Sequence, residues 1–269
     1  MPQPTSPLLT WATAFVLFQF ALAIFAPLIA PYDPLAQDVL ARLKGPSFAH
    51  WLGTDQFGRD VLSRTIAAAR IDLQIALFGV VFPMLIGSTI GLVTGWYGGW
   101  IDAAFGRLMD LVATFPFLVL VITFVSILGP GLVNMFIALA CVGWVAFARL
   151  MRGEVLVQKN AEYVAAARVL GYSTARIVLR HILPNAVRPV LAYAVTDMAL
   201  VILLGSSLGY LGLGAQPPMA EWGVLIADGK NFLSTAPWIT LAPGVMIVLA
   251  GLGFSLAGDG LADLLEVKR

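Results

Sequence analysis

What most constrains this chain is a series of long apolar stretches, at about 8–30, 73–97, 111–128, 131–148, 186–204 and 238–258. A bilayer core takes roughly 20 apolar residues per helix, and inside lipid the backbone must satisfy its own hydrogen bonds. The expected fold is therefore all-α, a polytopic membrane protein with six spans. Composition agrees. The 269 residues are 59% hydrophobic and 12% charged, with a mean hydropathy of +0.89, whereas soluble domains are about 45–50% apolar and about 25% charged. The fifth stretch is the least uniform, because it carries Asp197. Asp102, Arg107 and Asp110 precede the third, which places the start of that helix near residue 103, at the interface.

Several function classes drop out. A formal charge of +1 gives no general attraction to nucleic acid. A single cysteine, Cys141, cannot form an internal disulfide, and His50 and His181 suggest no metal site. The first apolar stretch has no basic segment before it, and LIAPYDP after it offers no small-residue cleavage site, so it reads as a retained helix and not a signal peptide.

Orientation follows Lys and Arg in short loops. From Arg149 to Arg188 there are seven basic residues against Glu154 and Glu162, which makes that loop cytoplasmic. Six spans then put both termini on the same side. The opposite side receives residues 31–72, the turn around Gly129–Gly131 and the segment 209–237. Residues 31–72 hold five basic and five acidic side chains and argue for neither side.

Within the basic loop, residues 162–185 read EYVAAARVLGYSTARIVLRHILPN. Residues 162–170 are rich in good helix formers, and Gly171 is placed to end the helix. Ala165, Ala166 and Ala167 would present a smooth patch, with Tyr163, Val164 and Leu170 as larger apolar contacts beside it. A second helical run follows, and Pro184 is expected to disrupt it and set the angle of the fifth span. From the residues alone, docking to another protein and lying flat on lipid are equally good readings.

This pattern resembles the EAA motif of bacterial ABC importer permeases: a small triplet, a glycine four residues on, and a downstream Leu-Pro, here Ala165–Ala167, Gly171, Leu183 and Pro184. Ala165 stands where the motif has its glutamate, Glu162 lies one turn earlier, and His181 replaces the usual isoleucine. Further stretches extend the likeness to the dipeptide, oligopeptide and nickel branch, and within it to the second, C-type permease. They are HWLGTDQFGRDVLSR (50–64), GWYGGWIDAAFGRLMD (95–110), FPF (115–117), LGPGL (128–132), ARLMRGE (148–154), YLGLGAQPP (210–218), APW and GDGLAD. The resemblance implies a subunit that catalyses nothing and binds no cofactor, with ATP and Mg on two partner ATPase subunits. It implies a homologous second permease and an extracytoplasmic substrate-binding protein as further partners, in a bacterial cytoplasmic membrane. It also implies that Glu162, Tyr163, Ala165, Ala166, Ala167, Arg168, Gly171, Leu183 and Pro184 form the coupling element that meets an ATPase. Residues 1–72 would be an N-terminal span plus outer loop, and 73–269 the permease core with the loop at about 149–188. The substrate implied is a dipeptide or oligopeptide, with nickel or another small solute as the alternative.

Other signals carry plainer readings. Residues 54–70 suggest an interfacial helix capped by Thr54 or Asp55, with Phe57, Val61, Leu62, Thr65, Ile66 and Ala69 on one face; a contact for the binding protein is the second reading. Gly87, Gly91 and Gly95 form a close-packing stripe, facing either the partner permease or this chain's own bundle. Asp197 within a span is a candidate pathway residue, unless it pairs with Arg188 or bonds within the bundle. GSSLG at 205–209 matches a serine-nucleophile pattern, but neither histidine lies at membrane depth. GVLIADGKN at 223–231 fails the phosphate-loop spacing. An ion-coupled secondary transporter would call for internal repeats and more ionisable residues at the midplane; only Asp197 is available.

Overall fold

The computed structural model describes residues 7–266, and its regular elements are helices. They are α1 (Pro7–Ile29), α2 (Val61–Tyr97), α3 (Gly99–Ala113), α4 (Phe117–Leu128), α5 (Leu132–Lys159), α6 (Glu162–Val169), α7 (Thr174–Ile177), α8 (Leu183–Tyr210), α9 (Trp222–Gly229) and α10 (Trp238–Glu266). Four helical segments, 61–97, 132–159, 174–210 and 238–265, are long and apolar enough to cross a bilayer; α3 and α4 make a fifth crossing if the pair is one span. The 23 residues of α1 reach about 35 Å at about 1.5 Å per residue, against a hydrocarbon core of about 30 Å.

Three spans differ from the sequence reading. The third is not one helix from residue 103: α3 and α4 meet at 89°. The break falls at Thr114–Pro116, where proline keeps the residue before it out of the helical region. The second begins at Val61, not 73. Asp60, not Thr54 or Asp55, caps it, accepting from the Ser63 N–H at 2.8 Å and the Ser63 hydroxyl at 2.6 Å. The expected interfacial helix is thus the first turns of α2, and Val61, Thr65, Ile66 and Ala69 are buried inside the protein instead of resting on lipid. Asp55 serves a tight turn instead, accepting from the backbone of Gly58, Phe57 and Arg59.

The fifth span also starts early, and Pro184 does not break it. Helix continues from Thr174 to Tyr210 because residues 178–182 widen into a π turn, in which the Leu183 N–H reaches the Val178 carbonyl. The wide turn makes room for a ring that would otherwise collide with the preceding turn and supplies no N–H.

The bundle is built around α2, which lies against α5 on one side and α1, α8 and α10 on others. A Cβ at Gly87 or Gly91 would run into the α5 backbone at Trp144 and Ala148, and one at Gly95 into Val155. The glycine stripe therefore serves internal packing and faces α5. The main core joins Ile75 and Val80 of α2, Val121 and Val125 of α4, Leu139, Phe147 and Met151 of α5, and Ile182, Val190 and Val201 of the fifth span. At one end, residues 31–60 fold into a cap over the starts of α2 and α10. The Trp238 indole donates to the Thr54 carbonyl at 3.1 Å, and Arg59 and Arg64, both buried, pair with Asp55 and Asp228. At the other end lies α6.

Candidate coupling surface and transport pathway

The eight residues of α6 end at a glycine stop. Gly171 sits at φ +75°, where its N–H meets the Arg168 carbonyl at 3.0 Å and the Tyr172 N–H meets the Ala167 carbonyl at 3.1 Å. That pair of hydrogen bonds closes the last turn and needs the left-handed backbone glycine adopts most readily. Helical periodicity then divides the face. Val164 and Ala167, three apart, are buried in the main core, while Ala165 and Ala166 point out. So do Val169 and Leu170, at 88% and 70% exposure. The expected three-alanine patch is thus two alanines beside a protruding Val-Leu pair, with Ala167 and Val164 turned inward as anchors.

Side chains around α6 tie it to its neighbours. Tyr163 donates to the Gln158 side chain at 2.5 Å. The Arg168 guanidinium lies 5.4 Å from the ring centre of Trp96, the same ring that Lys159 approaches at 5.5 Å. Lys159 also donates to the Trp96 carbonyl at 2.5 Å. Tyr172 stacks on His181 at 5.8 Å between ring centres, so the residue that departs from the motif holds the second turn of this element. Glu162 is exposed on the first turn, Leu183 is half-buried, and Pro184 is exposed. Glu162, Tyr163, Ala165, Ala166, Arg168 and Gly171 therefore share one accessible element, with Leu183 and Pro184 at the foot of α8.

Behind α6, between α5, α8 and α10, lies a cavity of about 540 Å³ with Glu154, Tyr163, Arg188, Tyr193, Thr196 and Asp259 in its wall. Asp197, half-buried, sits next to Thr196, with Tyr193 one turn earlier on the same helix. Arg188 lines the cavity nine residues away. The GSSLG stretch is a packing surface: a Cβ at Gly205 would strike Ile75, one at Gly209 the Glu221 carboxylate, and Ser207 donates to the Leu203 carbonyl at 2.7 Å. GVLIADGKN is helical through Gly229 and continues into a 3-10 turn, so it cannot wrap a phosphate.

Three polar arrangements were not foreseen. Asp102 of α3 makes a two-pronged bond to Arg152 of α5, at 2.5 and 2.7 Å. The Arg59, Arg64, Asp55 and Asp228 network fastens the cap. Asp72 and Glu221, 1% and 0% exposed, meet between α2 and the start of α9, where burial pushes the Glu221 carboxyl up and the N–H groups of Gly223 and Val224 pull it down. Only Asp72 left a trace in sequence, as an acid abutting an apolar run; Glu221 sits among loop residues, where an acid is unremarkable.

Residues 87–269 match the family described as the binding-protein-dependent transport system inner membrane component. Residues 6–46 match the N-terminal transmembrane domain of oligopeptide transport permease C. The chain belongs to the binding-protein-dependent permease family. It is 43% identical to the dipeptide transport system permease protein DppC of Alkalihalophilus pseudofirmus, over 95% of this chain and 83% of that one. It is 41% identical to the glutathione transport system permease protein GsiD of Pectobacterium atrosepticum, over 96% of this chain and 86% of that one. The probable D,D-dipeptide permease DdpC of Escherichia coli is 40% identical, over 98% and 88%. Among solved structures, an inward-facing MetNI methionine ABC transporter covers 76% of this chain and 97% of its own, with a TM-score of 0.60 and 19% identity, a likeness of fold. This permease is thus a multi-pass inner-membrane subunit of an ABC importer.

Proposed function

We propose that this permease forms half of a pathway for dipeptides or oligopeptides, paired with a homologous second permease. One of two ATPase subunits would dock on α6, the other on the partner permease, and a binding protein would deliver peptide to the capped end. The peptide reading is supported by relatives named for dipeptides, D,D-dipeptides and glutathione, all short peptides. ATP and Mg belong on the partner ATPases, and the chain itself is the non-catalytic member. The termini and α6 face the cytoplasm in this reading.

The observation that carries the coupling role is the two-sidedness of α6. An apolar knob, Ala165, Ala166, Val169 and Leu170, is left uncovered by the rest of the chain, while Val164 and Ala167 lock the same helix to the core. A lipid-lying helix would not need Gly171, Arg168–Trp96 and Tyr172–His181 to fix its direction. Ala166→Glu or Gly171→Glu is expected to abolish uptake while the subunit stays in the membrane, and to leave ATPase activity unresponsive to loaded binding protein. Normal uptake by both variants would remove the assignment.

Asp197 and the cavity wall formed by Tyr193 and Thr196 are proposed as part of the inner half of the pathway, where a carboxylate could meet a peptide's ammonium group. Uptake by Asp197→Asn at unchanged rate and peptide preference would reject this role.

A further inference from the structure

The cavity behind α6 differs in kind from a second large hollow of the molecule. That one, about 840 Å³ between α2, α3, α4 and α5, has a wall of Phe, Ile, Leu, Val, Ala, Trp and Cys side chains, which suits lipid or a packed helix. The cavity between α5, α8 and α10 is lined for a polar guest. Along α8 its wall takes Asn185, Arg188, Ala192, Tyr193 and Thr196, spaced three and four apart and so on one helix face. Glu154 and Gln158 of α5 and Asp259 of α10 complete the polar lining.

One contact fixes the levels of these groups. A Cβ on Gly258 would overlap the Thr196 hydroxyl, so α10 and α8 touch there, and neighbouring Asp259 lies at the level of Thr196. Arg188 sits eight residues before Thr196, about 12 Å along α8 toward α6. The cavity therefore has a cation at its α6 end and a carboxylate farther in. Both are exposed, and among the described residues neither enters an ion pair. An extended chain advances about 3.5 Å per residue, so a dipeptide spans about 7 Å and a tripeptide about 10 Å. The reach of the Arg and Asp side chains takes up the rest of the gap.

Other guests match the wall less well. Glu154 and Asp259 against Arg188 leave it net negative, which disfavours phosphate and other anions. No histidine or cysteine lines it, and no group of three metal-binding side chains occurs among the described residues, which disfavours a nickel ion. Its volume of about 540 Å³ falls within the roughly 300–1,000 Å³ of small-molecule sites.

We propose that this cavity is a holding site for the two free ends of a short peptide, with Arg188 taking the terminal carboxylate and Asp259 the terminal ammonium. A guanidinium can meet a carboxylate with two parallel bonds, which makes the arginine end the stronger grip. The site lies within this one chain and borders the coupling element, because Tyr163 of α6 and its partner Gln158, 2.5 Å away, are both in the wall. The inference takes its occupant from the peptide reading above, and it does not use Asp197, which is not in the wall.

The test is equilibrium binding to the assembled transporter in lipid nanodiscs at neutral pH, without binding protein. The probes are dialanine, N-acetyl-dialanine, dialanine amide and inorganic phosphate. Wild type is expected to bind dialanine about tenfold or more tighter than either blocked form, and phosphate not at all. Arg188→Gln should bind dialanine and its amide alike while still rejecting the acetylated form. Asp259→Asn should bind dialanine and the acetylated form alike while still rejecting the amide. A general loss of structure would not remove the preference at one end and keep it at the other. If one variant fails to assemble, the other carries its half of the expectation. Wild-type binding that ignores the state of the termini overturns the proposal, as does no binding of dialanine at millimolar concentration or loss of both preferences in each variant. The solute retained by the cognate binding protein separates this inference from the peptide reading. A peptide there without end-selective binding here overturns the holding site alone, and a non-peptide there with end-selective binding here overturns the peptide reading and supports the site.

Discussion

Glycine at a helix contact and glycine on an open helix face have opposite consequences here. Gly91 touches the α5 backbone so closely that a side chain would force the two helices apart, whereas a Cβ on Gly153 of α5 meets nothing within 4 Å. Gly91→Val is therefore expected to lower stability by about 1–3 kcal/mol or more, the cost of overpacking. Gly153→Ala should be neutral or raise stability by up to about 1 kcal/mol, through helix propensity. Thermal unfolding of the purified subunit, variant against wild type, would read both. If the two substitutions behave alike, the α2–α5 approach described above is wrong. The three glycines could be noticed in the sequence from their four-residue spacing, but what they face could not. Spacing marks a stripe without marking the surface opposite.

Single elements were legible where the local chain determines them, and not where a distant segment does. The extent of α6 and its glycine stop came from composition and one residue. Which alanines face outward did not, because Val164 and Ala167 are turned inward by a core that α2, α5 and α8 assemble. The early start of α2 was hidden by Arg64, Arg70 and Asp72, which look like loop residues until Asp55 and Asp228 pair with Arg64 and the Trp222 N–H and Ser206 hydroxyl donate to Asp72. The bend at Thr114–Pro116 leaves α3 held to α5 by Asp102–Arg152 and Asp110–Arg149. Arg152 and Asp102 are 36% and 23% exposed in their side chains, so solvent screens them. A double-mutant cycle with Asp102→Asn and Arg152→Gln should give a coupling of about 0.5–1 kcal/mol that shrinks with salt. A coupling that is absent at low salt would mean the forked contact contributes nothing to holding α3.

At the scale of the molecule, the charged cap and α6 occupy opposite ends of the bundle, and labelling can decide which end faces the cytoplasm. In a Cys141→Ser background, cysteine at the fully exposed Phe48 is expected to react with an impermeant maleimide added to intact cells, and cysteine at Val169 only after the membrane is opened. The reverse pattern would turn the molecule over. The charge count of the 149–188 loop carried this orientation in sequence, while the cap was unreadable because its acids and bases balance until folding pairs them. The widened turn at residues 178–182 has a mechanical result for whatever pushes on α6. Just above it, Pro184 and Pro189 lack N–H groups, so the foot of the fifth span is missing internal ties that its upper turns retain. Sideways bending will gather in that foot, while thrust along the axis travels the roughly 55 Å from Thr174 to Tyr210 with little compression. The rod is thus soft as a joint and stiff as a strut, and it would deliver lengthwise motion to the far mouth while filtering out tilt.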